Sequence, residues 1–433
     1  MRTVLIVSYA FPPRNVVGAI RPLKFARYLP EFGWRPLVLT VRKQSNPDET
    51  DVALLEQLPP QGRVVRTSSL EPPRRLVTGL ARGGLTWPSS LSKRFLRGLR
   101  TAILIPDDKI GWLPFALREG RGVIRREKVD LVLSTSPPAT AHLVAALLSR
   151  WGQCPLVVDF RDPWTQHTLH HWLRNPLRRR IEEALEHAVL RRAAGVITVT
   201  PPRTAALAEK YPDIPRRRFV TLVNGFDLAD FDLPTPPPHN DRFTMVYTGS
   251  FYYRRQPDAF LDALQEVFRK RPDMRAQLRV VIAGDTDLHL RERVTARGLE
   301  DVVILRGLVP YRESIALQKG ADLLLLFIGA SPMASTWYPA KLFEYIATGR
   351  PILALTPEGI AADLVREANT GVVVHPENVE AIRWALLDLY IRWQEGRLPV
   401  LRDPAFPMRF ERRRLTERLV ALFNAVLAES GGR

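Results

Sequence analysis

Residues in the last quarter of the chain have the types and spacing of an anion-binding helix start. The segment is Pro339-Ala340-Lys341-Leu342-Phe343-Glu344. Pro339 suits the first helical position, where its missing N–H costs nothing. The N–H groups of Ala340 and Lys341 then point out of the helix, and the helix dipole and the Lys341 ammonium favour an anion there. Glu344 lies one turn further on the same face, where it could accept hydrogen bonds from a ribose. A plain amphipathic helix with a Lys–Glu surface pair is the alternative.

A second motif of this kind follows an earlier apolar run. Gly249-Ser250 comes directly after Met245–Thr248, and Arg254 and Arg255 follow within a few residues. A glycine turn lets backbone N–H groups approach a phosphate closely, and an arginine can bind a phosphate through two hydrogen bonds. For the two arginines, a solvated surface pair is the alternative.

Charged residues also end a predicted strand in the first half of the chain. Asp159, Arg161 and Asp162 lie at the end of the run Leu156–Asp159 and just after it. Three charges beside an apolar strand are costly unless they are paired or functional, so we expect a binding turn here. The alternative is a structural Asp–Arg pair with a helix cap at Asp162-Pro163.

Short apolar runs predict the strands that position these residues. The runs are apolar throughout rather than alternating, which is typical of strands covered on both faces. They are Val4–Val7, Leu37–Thr40, Leu131–Ser134, Leu156–Asp159, Val196–Thr200 and Phe219–Val223, followed by Met245–Thr248, Val280–Ala283, Val302–Leu305, Leu323–Phe327, Ile352–Leu355 and Val372–Val374. Helical periodicity separates them, which predicts an α/β fold with doubly wound parallel sheets.

A proline-rich stretch divides the two series of strands. Leu228–Arg242 contains Pro234, Pro236, Pro237 and Pro238 and shows no periodic pattern, which predicts a stiff linker. Ligands of open α/β sheets bind outside the carboxyl ends of the strands. We therefore expect two Rossmann-like domains that face each other across a ligand-binding cleft.

Composition excludes several classes of protein. The chain has 433 residues, 45% of them hydrophobic and 25% charged, as in a globular protein of about two to three domains. Cys154 is the single cysteine, and the eight histidines form no HExxH pattern, so we expect no disulfide and no metal site. The net charge of +18 favours an anionic partner. No signal peptide, membrane span or nucleic-acid module is recognisable, which predicts a cytoplasmic protein that binds no nucleic acid.

One segment predicts contact with an anionic membrane surface. Leu91–Leu104 places apolar residues on one helical face and Lys93, Arg94, Arg97 and Arg100 on another. This pattern is typical of an interfacial helix. A helix that packs on the core and has a solvated basic side is the alternative.

Further motifs join those described above in a specific order. In the first half they are Ser8-Tyr9-Ala10-Phe11-Pro12-Pro13, Gly18, Arg21, Phe25-Ala26-Arg27-Tyr28-Leu29, Gly33-Trp34, Ile105-Pro106-Asp107 with Trp112, Ser134-Thr135-Ser136-Pro137-Pro138 and Asp159-Phe160-Arg161-Asp162-Pro163-Trp164. In the second half they are Asn224-Gly225-Phe226-Asp227, Tyr247-Thr248-Gly249-Ser250 and the block from Tyr338 to Pro351. Together they resemble the motifs of bacterial GT-B glycosyltransferases of the retaining kind, glycosyltransferase family 4, over nearly the whole chain.

The resemblance implies a GT-B domain organisation. Residues 1–222 would form a Rossmann-like acceptor domain, 223–242 a proline-rich linker and 243–405 a Rossmann-like nucleotide-sugar domain. Residues 406–433 would form a C-terminal helix that packs back on the first domain. Helical spacing of the apolar residues between Met408 and Leu427 agrees with such a helix.

In the second half, the resemblance implies a donor site. Its residues would be Gly249, Ser250, Arg255, Thr336, Pro339, Ala340, Lys341 and Glu344. Ser250 stands where the family usually has an Arg that binds the donor diphosphate, and Arg255 where it has a Lys. Glu344 is the second Glu of the family's acidic pair, whereas Thr336 replaces the first. That first Glu contacts the transferred sugar, so the identity of the sugar stays open.

In the first half, the resemblance implies an acceptor site. Its residues would be Pro13, Gly18, Asp159 and Arg161, and the catalytic candidates would be Arg161, Asp162 and Glu344. The family often has two glycines after the first strand, where this chain has Val17-Gly18. Arg161 stands where the family often has a His, so a general-base His is not carried over.

The implied reaction is hexosyl transfer from a nucleotide-diphospho-sugar to a lipid-linked or polysaccharide acceptor, with retention and without a metal or other cofactor. Such an enzyme would serve cell-envelope polysaccharide synthesis, in the cytoplasm and peripherally on the inner face of the membrane. Two alternatives stay open. One is a GT-B sugar-nucleotide epimerase, which needs no acceptor. The other is a non-catalytic basic protein that binds a membrane or a polymer.

Overall fold

The computed structural model describes residues 1–42, 50–70, 104–166, 171–232, 241–251, 256–285, 289–331 and 333–431. The chain forms two compact units. One consists of Met1–Val223 with Thr416–Arg433, and the other of Asn224–Leu415. Each unit is built on one parallel sheet, so the two Rossmann-like parallel-sheet domains predicted from the apolar runs are confirmed.

The first unit has a seven-stranded parallel sheet in the order β3-β2-β1-β4-β5-β6-β7. Its strands are β1 (Arg2–Ser8), β2 (Trp34–Val41), β3 (Arg63–Thr67), β4 (Leu131–Ser136), β5 (Leu156–Phe160), β6 (Gly195–Thr198) and β7 (Phe219–Thr221). Every residue of β4 and β5 is buried, as expected for strands covered on both faces. The described helices are α1 (Val17–Tyr28), α2 (Leu113–Glu127), α3 (Thr140–Gly152), α4 (Pro176–Arg192) and α5 (Pro201–Lys210).

The second unit has a six-stranded parallel sheet in the order β10-β9-β8-β11-β12-β13. Its strands are β8 (Phe243–Thr248), β9 (Leu278–Ala283), β10 (Val303–Gly307), β11 (Leu323–Phe327), β12 (Ile352–Leu355) and β13 (Gly371–Val374). The helices between them are α6 (Asp258–Lys270), α7 (Leu290–Thr295), α8 (Tyr311–Gly320), α9 (Ala340–Thr348), α10 (Ile360–Glu367) and α11 (Val379–Gln394).

The last helix is α12 (Arg412–Gly431), which is shorter than the predicted helix over 406–433. Residues Phe406–Phe410 form a separate 3₁₀ turn, because the backbone around Glu411 pairs with Phe226 instead of continuing a helix. The end of α12 packs within the first unit. The rings of Phe423 and Trp34 lie 5.0 Å apart.

Two other predicted segments fall partly outside the described residues. In the predicted interfacial helix Leu91–Leu104, residues 91–103 are not described. In the predicted linker, Leu228–Phe231 forms a short 3₁₀ helix, and residues 233–240 are not described. Within the described ranges, no helix has the length and apolar character needed to cross a membrane.

Candidate functional site

The strand order of the second unit places a ligand-binding crevice at the end of β8. Strands β9 and β10 lie on one side of β8, and β11, β12 and β13 lie on the other. In such a sheet the connections leave the first strand in opposite directions, and ligands bind outside its carboxyl end. The predicted phosphate motif Gly249-Ser250 follows β8 directly.

Two glycines allow the turns after β8 and β9 to pack backbone against backbone. Gly249 has φ +131 and Gly284 has φ +144, a region that side chains rarely adopt. The Gly249 N–H donates to the Ala283 carbonyl at 2.7 Å. A Cβ on Gly284 would lie 2.3 Å from the Gly249 carbonyl oxygen. The two turns can therefore pack this closely only because Gly284 carries no side chain.

Lys341 and Gly249, two predicted donor residues from distant segments, meet at this turn. A Cβ built on Gly249 would lie 2.0 Å from the Lys341 Nζ. The same Nζ lies 3.9 Å from the centre of the Tyr247 ring, a cation–π contact. The Tyr247 hydroxyl donates to the Ser250 carbonyl at 3.1 Å. The ammonium is thus held over the glycine turn, where a diphosphate would find a positive charge.

Helix α9 brings Lys341 to this position and is fixed to the end of β8. The Thr248 N–H donates to the Tyr345 hydroxyl at 2.9 Å, and Tyr345 is fully buried. The prediction that Pro339 is the first helical residue is wrong. Pro339 has the extended ψ of 137, so it caps the helix, and Ala340 begins it. Gly349 ends the helix with φ +68, as expected for a left-handed C-terminal residue.

Glu344, the predicted ribose ligand, lies in a partly buried hydrogen-bond network. Gln318 Nε2 donates to Oε2 at 3.1 Å, and the Tyr311 hydroxyl lies 3.2 Å from Oε1. The same hydroxyl lies 3.0 Å from Asp230 Oδ2. A hydroxyl has one proton to donate, so both contacts are hydrogen bonds only when one carboxyl group is protonated. Burial raises the pKa of Glu344, and the Asp230 charge adds to this, while the hydrogen bond from Gln318 lowers it.

The remaining predicted donor residues differ in what surrounds them. Thr336 lies in the 3₁₀ turn Ala334–Thr336 before α9, and its hydroxyl donates to the Met333 carbonyl at 3.1 Å. Ala340 forms the first turn of α9 with Lys341. Arg255 and its neighbour Arg254 lie outside the described residues.

In the first unit, Arg161 and Gly18 meet near the ends of β1 and β4, where the strand order also reverses. A Cβ on Gly18 would lie 2.8 Å from the Arg161 Nη1. Arg161 Nε donates to the Ser136 carbonyl at 2.7 Å and Nη2 to the Pro137 carbonyl at 3.0 Å. Burial lowers the pKa of this guanidinium, and the Asp159 and Asp162 charges oppose that shift. Pro13 lies in the turn after β1, and its carbonyl accepts from the Asp51 N–H at 2.7 Å.

The prediction that Asp159 contacts the acceptor is wrong. Its side chain is 0% exposed, and both of its oxygens accept hydrogen bonds from the Arg21 guanidinium at 2.9 Å. The Thr135 hydroxyl donates to it at 2.9 Å. Asp159 is therefore a structural ion-pair partner, and its cation is Arg21 rather than the neighbouring Arg161.

Asp162 lies at the surface, and side chains of α4 hold the turn of which it is part. Asp162 Oδ1 lies 3.8 Å from Arg203 Nη1. The alternative of a helix cap at Asp162 is wrong, since no helix begins before Gln166, where this described range ends. Two buried glutamates of α4, which sequence reasoning missed, hold the residues that follow. Glu182 accepts from Trp164 Nε1 at 3.0 Å, and Glu186 accepts from the Thr165 N–H at 3.3 Å.

His142 is a buried structural residue. Its Nδ1 lies 2.7 Å from the Ser134 hydroxyl, and burial lowers its pKa to about 3, so the ring is neutral. Among the residues that the structure describes, no three His, Cys, Asp or Glu side chains cluster as metal ligands would.

Two family models match the chain, although no curated protein sequence does. Residues 22–230 match the model described as Glycosyltransferase Family 4, and residues 242–391 match Glycosyl transferases group 1. The chain therefore consists of a Glycosyltransferase Family 4 domain and a Glycosyl transferases group 1 domain. The two matches divide this glycosyltransferase much as its two units do.

Solved structures share the fold of this glycosyltransferase. HepE of Anabaena in complex with UDP-glucose is 15% identical with a TM-score of 0.65, covering 98% of this chain and 100% of HepE. Sucrose-phosphate synthase of Thermosynechococcus elongatus is 16% identical with a TM-score of 0.64, covering 99% and 100%. The lipopolysaccharide outer core galactosyltransferase WaaB is 13% identical with a TM-score of 0.55, covering 99% of each chain.

Proposed function

We propose that this glycosyltransferase moves a hexosyl group from a nucleotide-diphospho-sugar to a hydroxyl of a lipid-linked or polysaccharide acceptor. The anomeric configuration would be retained, and no metal ion would take part. The observation that carries the donor half of the proposal is the position of the Lys341 ammonium directly over the Gly249 turn, at the end of β8.

Three features of the second unit suit a nucleoside diphosphate. The Gly249 turn offers close backbone approach, the start of α9 offers N–H groups with the positive end of a helix dipole, and Lys341 adds a full charge. Glu344 lies one turn along α9, where a carboxylate can accept hydrogen bonds from ribose hydroxyls. The structural similarity to HepE, solved with UDP and with UDP-glucose, makes UDP the first nucleotide to test.

The chemical task is to stabilise the leaving diphosphate. The bond between the anomeric carbon and the diphosphate oxygen breaks, and the oxygen carries away the electron pair. A fixed positive charge placed where negative charge develops lowers the barrier of such a step. In this proposal Lys341 and the start of α9 supply that charge.

Retention follows if the acceptor attacks from the face that the diphosphate leaves. The acceptor oxygen forms the new bond to the anomeric carbon, and its proton passes to a leaving-group phosphate oxygen. Such a step needs no protein base, which fits Arg161 standing where a histidine is often found in the family. Arg161, Asp162 and Gly18 are the residues of the first unit that we propose to contact the acceptor. The proposal places the enzyme in the cytoplasm, with its acceptor at the inner face of the membrane.

The proposal is tested first by thermal shift with UDP, GDP and ADP. A nucleotide at a hundred times its dissociation constant stabilises the folded state by about 2.7 kcal/mol. We expect one nucleotide to raise the melting temperature of the wild type, and Lys341→Ala to abolish most of that shift. Lys270→Ala is the matched control, because Lys270 is an exposed lysine at the end of α6 in the same unit. Equal shifts in Lys341→Ala and the wild type would contradict the donor site.

Two further experiments test whether a metal ion takes part and whether the protein is instead an epimerase or a non-catalytic binding protein. Addition of EDTA should leave the nucleotide-induced shift and the transfer unchanged, and loss of transfer would contradict metal independence. The UDP-sugar that binds is also incubated with the enzyme without an acceptor and followed by NMR. Conversion of the donor into its epimer would favour the epimerase alternative over the transferase. Binding of no nucleotide at all would favour the non-catalytic alternative.

A further inference from the structure

A tyrosine hydroxyl of the second unit lies between two carboxyl groups. Tyr311 is the first residue of α8, and its hydroxyl oxygen lies 3.0 Å from Asp230 Oδ2 and 3.2 Å from Glu344 Oε1. Asp230 belongs to the 3₁₀ helix Leu228–Phe231, and its side chain is buried. Glu344 is the residue of α9 to which the ribose is assigned above. Tyr311 thus joins a buried carboxyl group without an assigned role to the proposed ribose ligand.

Contacts from α8 hold this arrangement in place. Tyr311 and Gln318 are seven positions apart, which places them on one face of the helix. Gln318 is fully buried, and its amide nitrogen donates to Glu344 Oε2 at 3.1 Å. Near the end of α8, Lys319 Nζ donates to the Phe231 carbonyl at 2.7 Å, which holds the 3₁₀ helix with the buried aspartate against α8. The two carboxyl groups and the hydroxyl therefore meet in one defined geometry.

The position of the protons decides which of these contacts are hydrogen bonds. A tyrosine hydroxyl has one proton to donate, and an ionised carboxyl group has none. Burial raises the pKa of Tyr311, so the hydroxyl keeps its proton. The shorter contact and the lower ordinary pKa of an aspartate favour donation to Asp230. The Tyr311 oxygen is then an acceptor, and its contact with Glu344 Oε1 is a hydrogen bond when that oxygen carries a proton.

The charges around Glu344 favour the same state. Burial raises the pKa of this carboxyl, and the negative charge of Asp230 raises it further. The hydrogen bond from Gln318 and the positive charge of Arg412 lower it. A hydrogen bond donated by Tyr311 would lower it too, but in this state the hydroxyl proton points to Asp230. Neutral Glu344 beside ionised Asp230 is thus the state that geometry and charge both favour.

We infer that Asp230, acting through Tyr311, keeps Glu344 protonated in the nucleotide-free protein, so that binding of a ribose releases this proton. The inference rests on the proposed function, because it takes Glu344 to be the ribose ligand. Ribose hydroxyls bind a carboxylate more strongly than a neutral carboxyl group, since charge-assisted hydrogen bonds are stronger. The Glu344 oxygen that loses the proton accepts from the ribose, and the proton passes to solvent. Asp230 and Tyr311 are positioning residues, and they set the pH range in which the nucleotide binds tightly.

The coupling is tested by calorimetry with UDP-glucose from about pH 4 to about pH 8. GDP-glucose or ADP-glucose takes its place when the thermal shift selects guanine or adenine. The phosphates of these probes are diesters and stay ionised over the range, so a change of affinity reports on the protein. Wild-type affinity should fall by up to about tenfold for each pH unit below the midpoint, the limit for a group that must lose one proton. Binding near the midpoint should release a proton, which makes the apparent enthalpy depend on the ionisation enthalpy of the buffer.

Variants of the two positioning residues should shift this midpoint. Asp230→Asn keeps the shape and removes the charge, so the midpoint should fall by about one pH unit. Tyr311→Phe removes the acceptor of the Glu344 proton and should also lower the midpoint. In the Asp230→Asn background the hydroxyl is free to donate to Glu344, so there Tyr311→Phe should raise the midpoint instead. Glu313→Gln is the matched control, because it removes a partly exposed carboxylate of the same helix that pairs with Arg306, and it should leave the midpoint unchanged.

NMR of the nucleotide-free protein separates the carboxyl pair from the proposed donor site. Labelling of glutamate at Cδ follows the protonation of Glu344, whose signal is identified by its absence in Glu344→Gln. Titration at the ordinary pKa of about 4.3, or a pKa that Asp230→Asn leaves unchanged, would overturn the inference. A higher midpoint in Tyr311→Phe alone would overturn the role of the hydroxyl, and an affinity independent of pH would overturn the coupling. A raised pKa in a protein that binds no nucleotide would instead contradict the proposed function.

Discussion

The guanidinium of Arg21 and the carboxylate of Asp159 form a two-point ion pair inside the first unit. Both hydrogen bonds measure 2.9 Å, and the side chains are 1% and 0% exposed. Arg21 also donates to the carbonyls of Leu222 and Val223 at 2.8 Å. One buried pair thus joins α1, the end of β5 and the segment after β7. Its role is to hold the sheet edge from which Arg161 projects.

Asp159→Asn should therefore destabilise the first unit strongly. The substitution keeps the shape but leaves Arg21 as a buried cation without its counter-charge, which typically costs about 3–5 kcal/mol. Urea unfolding measures the loss. Arg63→Gln breaks an exposed pair in the same unit and should cost less than about 1 kcal/mol. A loss in Asp159→Asn as small as that of the control would show that the pair does not hold this edge.

Gly249→Ala should strongly weaken binding of the nucleotide. The new Cβ would lie 2.0 Å from Lys341 Nζ and would displace the ammonium from the turn. We expect a reduction in nucleotide affinity of about a hundredfold, the equivalent of about 2.7 kcal/mol, measured by calorimetry with the nucleotide that gives the largest thermal shift.

The control separates this clash from backbone strain. Gly298 also has a positive φ, of +59, but a Cβ there would meet nothing within 4 Å. Gly298→Ala should lower stability by about 1–2 kcal/mol and leave nucleotide affinity unchanged. A nucleotide that binds Gly249→Ala with wild-type affinity would contradict the proposed position of the diphosphate.

The strands were predictable because parallel strands covered on both faces must be apolar along their length. All twelve predicted runs coincide with strands of the structure, although the runs Val196–Thr200, Phe219–Val223 and Val302–Leu305 extend one or two residues beyond their strands. Among the described residues, the one strand that was not predicted is β3, whose sequence Arg63–Thr67 carries arginines at two of its five positions. An edge strand needs only one apolar face, so its sequence lacks the signal that reveals the central strands.

The contacts of single side chains were less predictable, since they depend on which distant segments meet. Lys341 and Gly249 were each predicted as phosphate ligands, but only the strand order brings them together. Asp159 was expected to bind a ligand because three charges follow one strand, and its true partner Arg21 is 138 positions away. In the sequence, Glu182 and Glu186 of α4 look like surface residues of a charged helix. In the structure they are buried because the turn at Trp164 packs on them.

Glu186→Gln should destabilise the turn that follows Asp162. Glu186 is 1% exposed, accepts from the Thr165 backbone and pairs with Lys210 Nζ at 2.9 Å. Loss of its charge weakens hydrogen bonds that are worth about 1.5–3 kcal/mol each when one partner is charged. Urea unfolding should show a loss in that range. Glu183→Gln, one turn away on the half-buried side of α4, should cost less than about 1 kcal/mol. Equal losses would contradict an anchoring role for Glu186.

Glu344 should make the stability of the second unit depend on pH. Burial raises the pKa of this carboxyl above its usual value, so the folded state binds the proton more tightly than the unfolded state. The resulting stabilisation is fully present below the ordinary pKa of about 4.3 and is lost as the pH rises through the raised value. Because a glutamine side chain is neutral at every pH, the stability of Glu344→Gln does not fall in this way as the pH rises. Its stability relative to the wild type should therefore increase from about pH 4 to about pH 7, as measured by urea unfolding.

The control variant for this prediction, Glu358→Gln, should show the opposite change of stability with pH. Glu358 lies in the same unit, and the hydrogen bond from Arg366 lowers the pKa of its exposed carboxyl. The folded state then releases the Glu358 proton more easily than the unfolded state, so the wild type gains stability as the pH rises and Glu358→Gln does not. Relative to the wild type, Glu358→Gln should become slightly less stable over the same range, while Glu344→Gln becomes more stable. Parallel trends in the two variants would show that Glu344 is ionised in the folded protein over this range, which would contradict a raised pKa for this carboxyl.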